Sequence, residues 1–427
     1  MSKITQVFVI GGLIRFLLPV SVPSLVPILS SSTELSTPIT SFKALLEAFY
    51  FLDHNINLYD GGVNHHPPLL VILLSFFDSL PYSHVWFALL YTITDLLIAA
   101  NLVKINQWYN HYRSKKSGAS KKYLGFNDDL IACFYLFNPL ILLTNLSYST
   151  IVFTWFFTIE SIVQITKEKR VLRSMISLAI ATYLSFHSLY LLPSILGLAY
   201  ALSSRDTIKF FTVNISAFLT FLAVLGFASY ACTGSWLFID KCYLTVILFK
   251  KITPNVGLWW YLFTEMFEFF TPFYTGMFNL YSVVFIIPIT LRLFEYSKSP
   301  KLGDSFLSII LSMLWISFTK SYPTIGDLGL VLSILPMFKD TILAHCKLLF
   351  ISGMTLIISL ILSPIFYYCW IVLGNGNSNF FYSINLIWGG VHILILMELI
   401  WAQLIVDYGV ENNLSDTELK QTTLAQL

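Results

Sequence analysis

Long uninterrupted apolar runs constrain this chain more than any other feature. A helix that crosses the hydrocarbon of a bilayer needs about 20 mostly apolar residues. By that measure the sequence offers spans near 4–29, 84–103, 130–145, 148–166, 174–201, 210–232, 273–294, 305–319, 328–343, 347–373 and 380–406. The runs at 67–80 and 256–270 are shorter and read as half-helices or interfacial segments. The expected fold is an all-α, polytopic transmembrane bundle of about 10–13 helices. Continuous rather than alternating apolar runs argue against a membrane β-barrel. Charge supports the same class: only 11% of residues are charged, against about a quarter in soluble domains. The mean hydropathy is +0.74.

Basic residues set the expected topology. Lys104, Arg113, Lys115, Lys116, Lys121 and Lys122 precede the first following acid, Asp128, and a second cluster is Lys167, Lys169, Arg170 and Arg173. Both flank apolar spans, so they read as cytosolic anchors rather than as a nucleic-acid surface. Two spans between them put both on one side. A cytosolic basic loop at 104–129 then places a first lumenal loop at 30–83, and the N-terminus in the cytosol. The run from Ile4 to Val20 carries Arg15 and lacks a small-residue cleavage site, so it reads as an uncleaved first span. One membrane domain over 1–410 and a polar, disordered tail over 411–427 are expected.

The inventory for catalysis is thin. The five cysteines form no CxxC or metal spacing, although Cys232 and Cys242 flank a turn and could pair in an oxidising lumen. No DxD occurs; Asp53 and Asp60 lie seven residues apart, and His65-His66 are adjacent rather than helically spaced. No metal, no cofactor and no catalytic residue is expected. Arg15, Asp95, Glu160, His187, His392 and Glu398 fall within or near spans, where ionisable groups mark function or helix-end snorkelling.

Three polar patches interrupt the apolar sequence. Asn255, Trp259 and Trp260 precede Glu265 and Glu268, which would share one face if the segment is helical and then invite an acid/base or metal reading; the plainer reading is an interfacial helix whose acids face water or a partner, with its tryptophans at headgroup level. Lys320 and Asp327 bracket a short turn and either pair with each other or face a ligand. Asn377 and Asn379 lie in a Gly/Asn turn, where amides offer donors and acceptors without the cost of burying charge.

TPNVGLWWYLFTEMFEFF (253–270), KSYPTIGD (320–327) and NSNFFYSI (377–384), in this order and spacing, resemble the signature blocks of the PIG-U family, the U subunit of glycosylphosphatidylinositol (GPI) transamidase. The first loop agrees through Ser41, Phe42, Lys43, Leu52, Asp53, Tyr59, Gly61, His65 and Pro68, and Arg15 fits as well. The resemblance covers essentially the whole chain, with 104–129 and the tail fitting poorly and Asp60 standing where serine is expected.

The resemblance implies a multi-pass endoplasmic-reticulum subunit, without catalytic activity of its own, of the complex that joins a GPI lipid to the C-terminus of substrate proteins. Its partners would be the other transamidase subunits, including a caspase-like catalytic one, and the GPI lipid. It also implies a helical fold like that of the polytopic (GT-C-type) mannosyltransferases. On this reading Asn377 and Asn379 contact the lipid headgroup, with Lys320, Asp327 and His65 behind them. Asn255, Trp259, Trp260, Glu265, Glu268 and Arg15 are structural or partner-contact residues. A scaffold without lipid contact and a dolichol-phosphate-sugar mannosyltransferase are the alternatives.

Overall fold

The computed structural model describes residues 2–117, 125–203, 206–296 and 302–414, and all regular structure among them is helical. From the N-terminus run α1 (Lys3–Ser21), α2 (Leu25–Leu29), α3 (Phe42–Asp53), α4 (Pro68–Asp78), α5 (Ser83–Ser117), α6 (Asp128–Leu136), α7 (Pro139–Leu146) and α8 (Ile151–Thr166). Next come α9 (Val171–Leu184), α10 (Leu192–Ala201), α11 (Thr207–Thr233), α12 (Thr245–Ile247), α13 (Trp259–Glu265), α14 (Thr271–Val284) and α15 (Ile286–Arg292). The chain closes with α16 (Ser305–Thr319), α17 (Ile325–Ile334), α18 (Leu349–Tyr367) and α19 (Ser378–Glu411).

Among the described residues six helical stretches are long and apolar enough to cross a membrane, and α6 and α7, bent by 51° at their junction, pass the same test when taken together. The bend falls where Pro139 begins α7, since proline lacks the N–H that would continue α6. Shorter apolar helices at 151–166, 171–184, 186–201, 305–319 and 325–338 complete the bundle.

Residue pairs fix the directions. Arg15 meets Asp95 at 2.6 Å, and Pro19 further along α1 lines one cavity with Ser83 and Phe87 at the start of α5, so α1 runs opposite to α5. The rings of Tyr91 and Phe153 lie 5.0 Å apart and Asn101 donates to Glu160 at 2.7 Å, so α5 and α8 run parallel. Both basic segments therefore sit at one end of the bundle, as the charge pattern predicted. That basic end also holds Tyr112 donating to Glu295 (3.0 Å), Tyr109 donating to Asp304 (2.7 Å) and Arg292 paired with Asp407 (3.0 Å).

Several expectations need correction. The single span at 174–201 is a helical hairpin. Helix α9 ends at Ser185, whose extended backbone (φ −147°, ψ 115°) breaks the helix. A tight turn over Phe186–Leu191 follows, and α10 returns with Pro193 in its first turn. Tyr183 accepts from the Leu69 N–H at the far end, while Tyr200 stacks on Phe294 near the basic end. The first span is also shorter than 4–29: α1 stops at Ser21 and α2 is a separate turn. The basic loop does not begin at 104, because α5 continues to Ser117. Arg113 is buried there, 3.7 Å from Asp304. Of the polar tail, residues 415–427 lie outside the described residues, as do 118–124 of the basic loop and the side chain of Lys116.

Arg15 and Asp95 have side chains with no solvent exposure. Arg15 also donates to the carbonyl of Leu136 (2.8 Å), and Tyr135 donates to Asp95 (2.9 Å), so one ion pair ties α1, α5 and α6 together. Removing one partner leaves a buried charge unpaired, at a cost of about 3–5 kcal/mol. Arg15→Met should therefore sharply lower the protein's thermal stability in detergent, and adding Asp95→Leu should restore most of the loss. A single variant as stable as the parent would show that the pair does not hold these helices.

Candidate functional site

The three polar patches, far apart in sequence, meet at the end of the bundle opposite the basic one. Asn255 organises the junction. Its side-chain oxygen accepts from the Gly257 N–H (2.7 Å), and its amide reaches the carbonyls of Thr253 (3.2 Å) and Ser321 (3.5 Å). Asn385, buried in α19, donates to the Asn255 carbonyl (2.7 Å). Trp259 donates to the Thr319 carbonyl (2.8 Å) at the end of α16. Tyr322 both donates to the Lys251 carbonyl (2.8 Å) and accepts from its N–H (3.0 Å). Each block thus satisfies backbone groups of another, which a buried irregular chain requires.

An aromatic cluster fills the junction. Phe249, Trp259, Trp260, Phe263, Tyr322 and Phe381 are buried in it, and Phe278 of α14 and Phe366 and Tyr367 of α18 pack against it. Trp260 stacks on Trp370 with centroids 5.8 Å apart, and Tyr261 on Tyr382 at 4.2 Å. Trp259 and Trp260 are therefore core residues, 2% and 1% exposed, rather than headgroup-level anchors. Glu265 and Glu268 do not share a helix face. Helix α13 ends at Glu265, Met266 is extended, and Glu268 opens a separate turn, leaving both carboxylates in the open.

Asn377 and Asn379 form the exposed rim of this cluster. Asn377 caps α19, its oxygen accepting from the Asn379 N–H (3.0 Å), and the Asn379 side chain accepts a hydrogen bond from Tyr261. Lys320 and Asp327 lie beneath and pair with each other, as one of the two sequence readings had it. Asp327 also accepts from the Thr324 N–H (2.8 Å) and hydroxyl (3.0 Å), closing a capping box at the start of α17. Lys320 is only 4% exposed.

His65 belongs to the first loop, which folds over the same end. Its Nδ1 lies 2.6 Å from the Lys241 carbonyl, so Nδ1 carries the proton and Nε2 is left as a buried acceptor without a partner. Burial lowers the pKa of His65, and lowers that of His66 to about 3, so both rings are neutral near pH 7. His65 lines a cavity of about 20 Å³; Lys320, Asp327 and His187 line a neighbouring one of about 60 Å³. The two share Ile151, Thr154 and Ser185 as walls. A water needs roughly 10–15 Å³ of such space, so these chambers suit a few waters rather than a sugar. Lys320, Asp327 and His65 are thus brought near one another, and Asn377 and Asn379 stand apart on the surface.

Other contacts at this end bear on function. Cys232 and Cys242 are both free. Cys242 is buried, donating to the His66 carbonyl (3.3 Å) and the Tyr59 hydroxyl (3.5 Å), and burial pushes its thiol up to about 12, far from a nucleophilic thiolate. Among the described residues no three of His, Cys, Asp and Glu gather as a metal site. The sequence reading passed over Glu34, whose carboxylate accepts from Ser363 of α18 (2.8 Å) while its carbonyl accepts from the Ile325 N–H (3.0 Å). It also passed over Tyr261, Tyr322 and Asn385, all within or next to the quoted blocks. The polar residues amid apolar sequence were the available signal.

Fold and site together define a multi-pass helical membrane protein with an aromatic platform, rimmed by amides, at one end. A family model described as GPI transamidase subunit PIG-U matches residues 9–388, and the chain belongs to that family. The chain is 39% identical over 404 residues to the GPI transamidase component GAB1 of Saccharomyces cerevisiae, covering 94% of each. It is 29% identical over 418 residues to the GPI-anchor transamidase component PIGU of Homo sapiens, covering 92% of each. The GPI transamidase component GAB1 homolog of Schizosaccharomyces pombe is 28% identical over 381 residues, 88% of this chain and 87% of its own.

The junction leaves Gly257 no room for a side chain. A Cβ there would lie 2.8 Å from the Asn255 side-chain oxygen and 2.8 Å from Pro323 Cδ. Gly257→Ala should cost about 1–3 kcal/mol through overpacking, read as a lower melting temperature of the purified complex. Gly276→Ala, whose Cβ meets nothing within 4 Å in α14, is the neutral comparison. Equal stability of the two variants would mean that the junction is not tightly packed.

Proposed function

We propose that this chain is a non-catalytic subunit of GPI transamidase in the endoplasmic-reticulum membrane, and that its aromatic end faces the lumen and presents the GPI lipid. The observation that carries this reading is the exposed amide rim on an aromatic platform between two lipid-facing helices. Helix α14 exposes Phe273 and Leu280, and α18 exposes Ile357, Ile361 and Ile365. Aromatic faces accept the C–H surfaces of sugars, and amides exchange hydrogen bonds with hydroxyls. The glycan would rest against Asn377, Asn379 and Tyr261, with the acyl chains against α14 or α18. Lys320, Asp327 and His65 would act from beneath, holding the loops and their waters in place.

On this reading the subunit works by position. It holds the phosphoethanolamine amine of the lipid near the acyl-enzyme on a caspase-like partner. Fixing two reactants together contributes several kcal/mol without covalent chemistry in this chain. The same reading takes the bundle as a mannosyltransferase-like (GT-C) fold turned to lipid handling. The protonated Cys242 thiol and the separated Glu265 and Glu268 support a non-catalytic role. The exposed apolar face of α18 would equally suit a helix of a partner subunit, which favours scaffolding as the second reading.

The test replaces the rim without removing the helix cap. Asn377→Ser keeps a capping oxygen, and Asn379→Ala removes the second amide. In native mass spectrometry of the solubilised complex, this double variant should assemble fully but carry about tenfold less GPI lipid, equivalent to roughly 1.4 kcal/mol. Full lipid occupancy in an assembled variant would leave the rim structural and the scaffold reading standing.

A further inference from the structure

The hairpin at 171–201 has a consequence at the basic end. Because α10 returns there, the turn between α8 and α9 lies beside the start of α11, and Lys169, Arg170, Arg173 and Lys209 line one groove of about 700 Å³. All four cations are exposed, and one carboxylate, Asp206, shares the lining. Arg170 makes a loose contact with Glu168 at 3.7 Å, both side chains being about half exposed. Lys169, Arg173 and Lys209 have no ion-pair partner among the described residues.

The turn is built rather than slack. Lys169 holds a left-handed backbone (φ 54°), which a side chain other than glycine rarely adopts, and the Arg170 N–H closes the turn onto the Gln164 carbonyl at 2.8 Å. Helices α9 and α11 both begin at the groove, and neither has a side-chain cap on its first turn. Their free N–H groups add to the positive field.

The second half of the groove is apolar. Leu172 and Val213 are 51% and 44% exposed and line it, and Ile208 beside it is 76% exposed. The apolar surface continues along the same face of α11 through Val224 and Phe227, both exposed. Helix α11 buries only four of its 27 residues, so this face meets hydrocarbon. A cation cluster that passes directly into a lipid-facing wall matches an amphiphile with an anionic head. A soluble phosphate would leave that wall unused.

We propose that this groove is a binding site for an anionic glycerophospholipid of the cytoplasmic leaflet, its phosphate among Lys169, Arg170, Arg173 and Lys209 and its acyl chains along α11. Basic pockets between spans on the cytoplasmic side recognise such headgroups, and the positive-inside rule places this end there. The site is separate from the aromatic platform and does not rest on the role proposed for it. By bridging α9 and α11, the lipid fastens the hairpin to the edge of the bundle.

The experiment uses the purified complex, with Lys169→Gln, Arg173→Gln and Lys209→Gln combined in this chain. After mild delipidation, native mass spectrometry compares retention of phosphatidylserine and phosphatidylcholine supplied in equal amounts. The parent should retain phosphatidylserine preferentially. The triple variant should lose about a hundredfold of that preference, at about fivefold for each cation removed. If the triple variant does not assemble, Lys209→Gln alone is measured, with about a fivefold loss expected. An unchanged preference in either variant overturns the site. A melting temperature raised equally by soluble glycerophosphoserine and by phosphatidylserine also overturns it, because the acyl wall would then contribute nothing.

Discussion

Hydrocarbon offers backbone groups no hydrogen-bonding partner, and this constraint decides where every broken helix of the structure can lie. Helices α9, α10, α16 and α17 are all shorter than a full span. A 14-residue helix such as α9 reaches about 21 Å, against roughly 30 Å of hydrocarbon. Such legs survive only where protein surrounds them. Helix α16 accordingly buries 13 of its 15 residues. The polar groups of these legs bond to each other and to their neighbours: Ser194 of α10 bonds Ser312 of α16 and Thr290 of α15, each at 2.7 Å, and Ser317 of α16 meets His392 of α19 at 3.1 Å. The long helices α1, α11 and α18 stand around them with few buried residues and face the lipid.

This division into a polar, irregular interior and a plain exterior explains what could be read from the sequence. The class of fold was legible because lipid demands long apolar runs. That the two basic segments share one end was legible because charges do not cross the bilayer freely. The hairpin was not, because two short buried legs joined by an apolar turn have the composition of one long span. Only Ser185, His187, Ser188 and Pro193 marked the break, and any one of them alone fits a kinked helix as well. Arg113 was misplaced for a related reason. A cation in a basic stretch looks solvated unless its partner, here Asp304 nearly two hundred residues later, is known to face it.

The site shows the same limit at finer scale. The three polar blocks were visible as interruptions, but their meeting depends on long-range pairs such as Asn385 with the Asn255 carbonyl and Glu34 with Ser363. Periodicity carries no information about such pairs. It also misjudged the tryptophans. An apolar ring with one N–H suits a membrane interface and a protein core equally, and here the Thr319 carbonyl satisfies the Trp259 donor.

The two ends of the bundle treat charge in opposite ways, and that contrast bears on what each can bind. At the aromatic end, Lys320 and Asp327 neutralise each other beneath the surface, His65 and His66 are held neutral, and the rim presents amides. On the proposed reading, a ligand at the rim itself would meet amides and rings rather than ions, which would select a hydroxyl-rich surface by shape and contact. At the basic end, inward carboxylates are matched within the protein, as with Asp407 and Arg292, while four cations of one groove stay in the open. A cluster with cations in excess attracts any anion, so on that proposal its selectivity would come from the apolar wall beside it. If both proposals hold, one chain carries two surfaces at the membrane boundary, of which the first would select by contact and the second by charge joined to hydrocarbon.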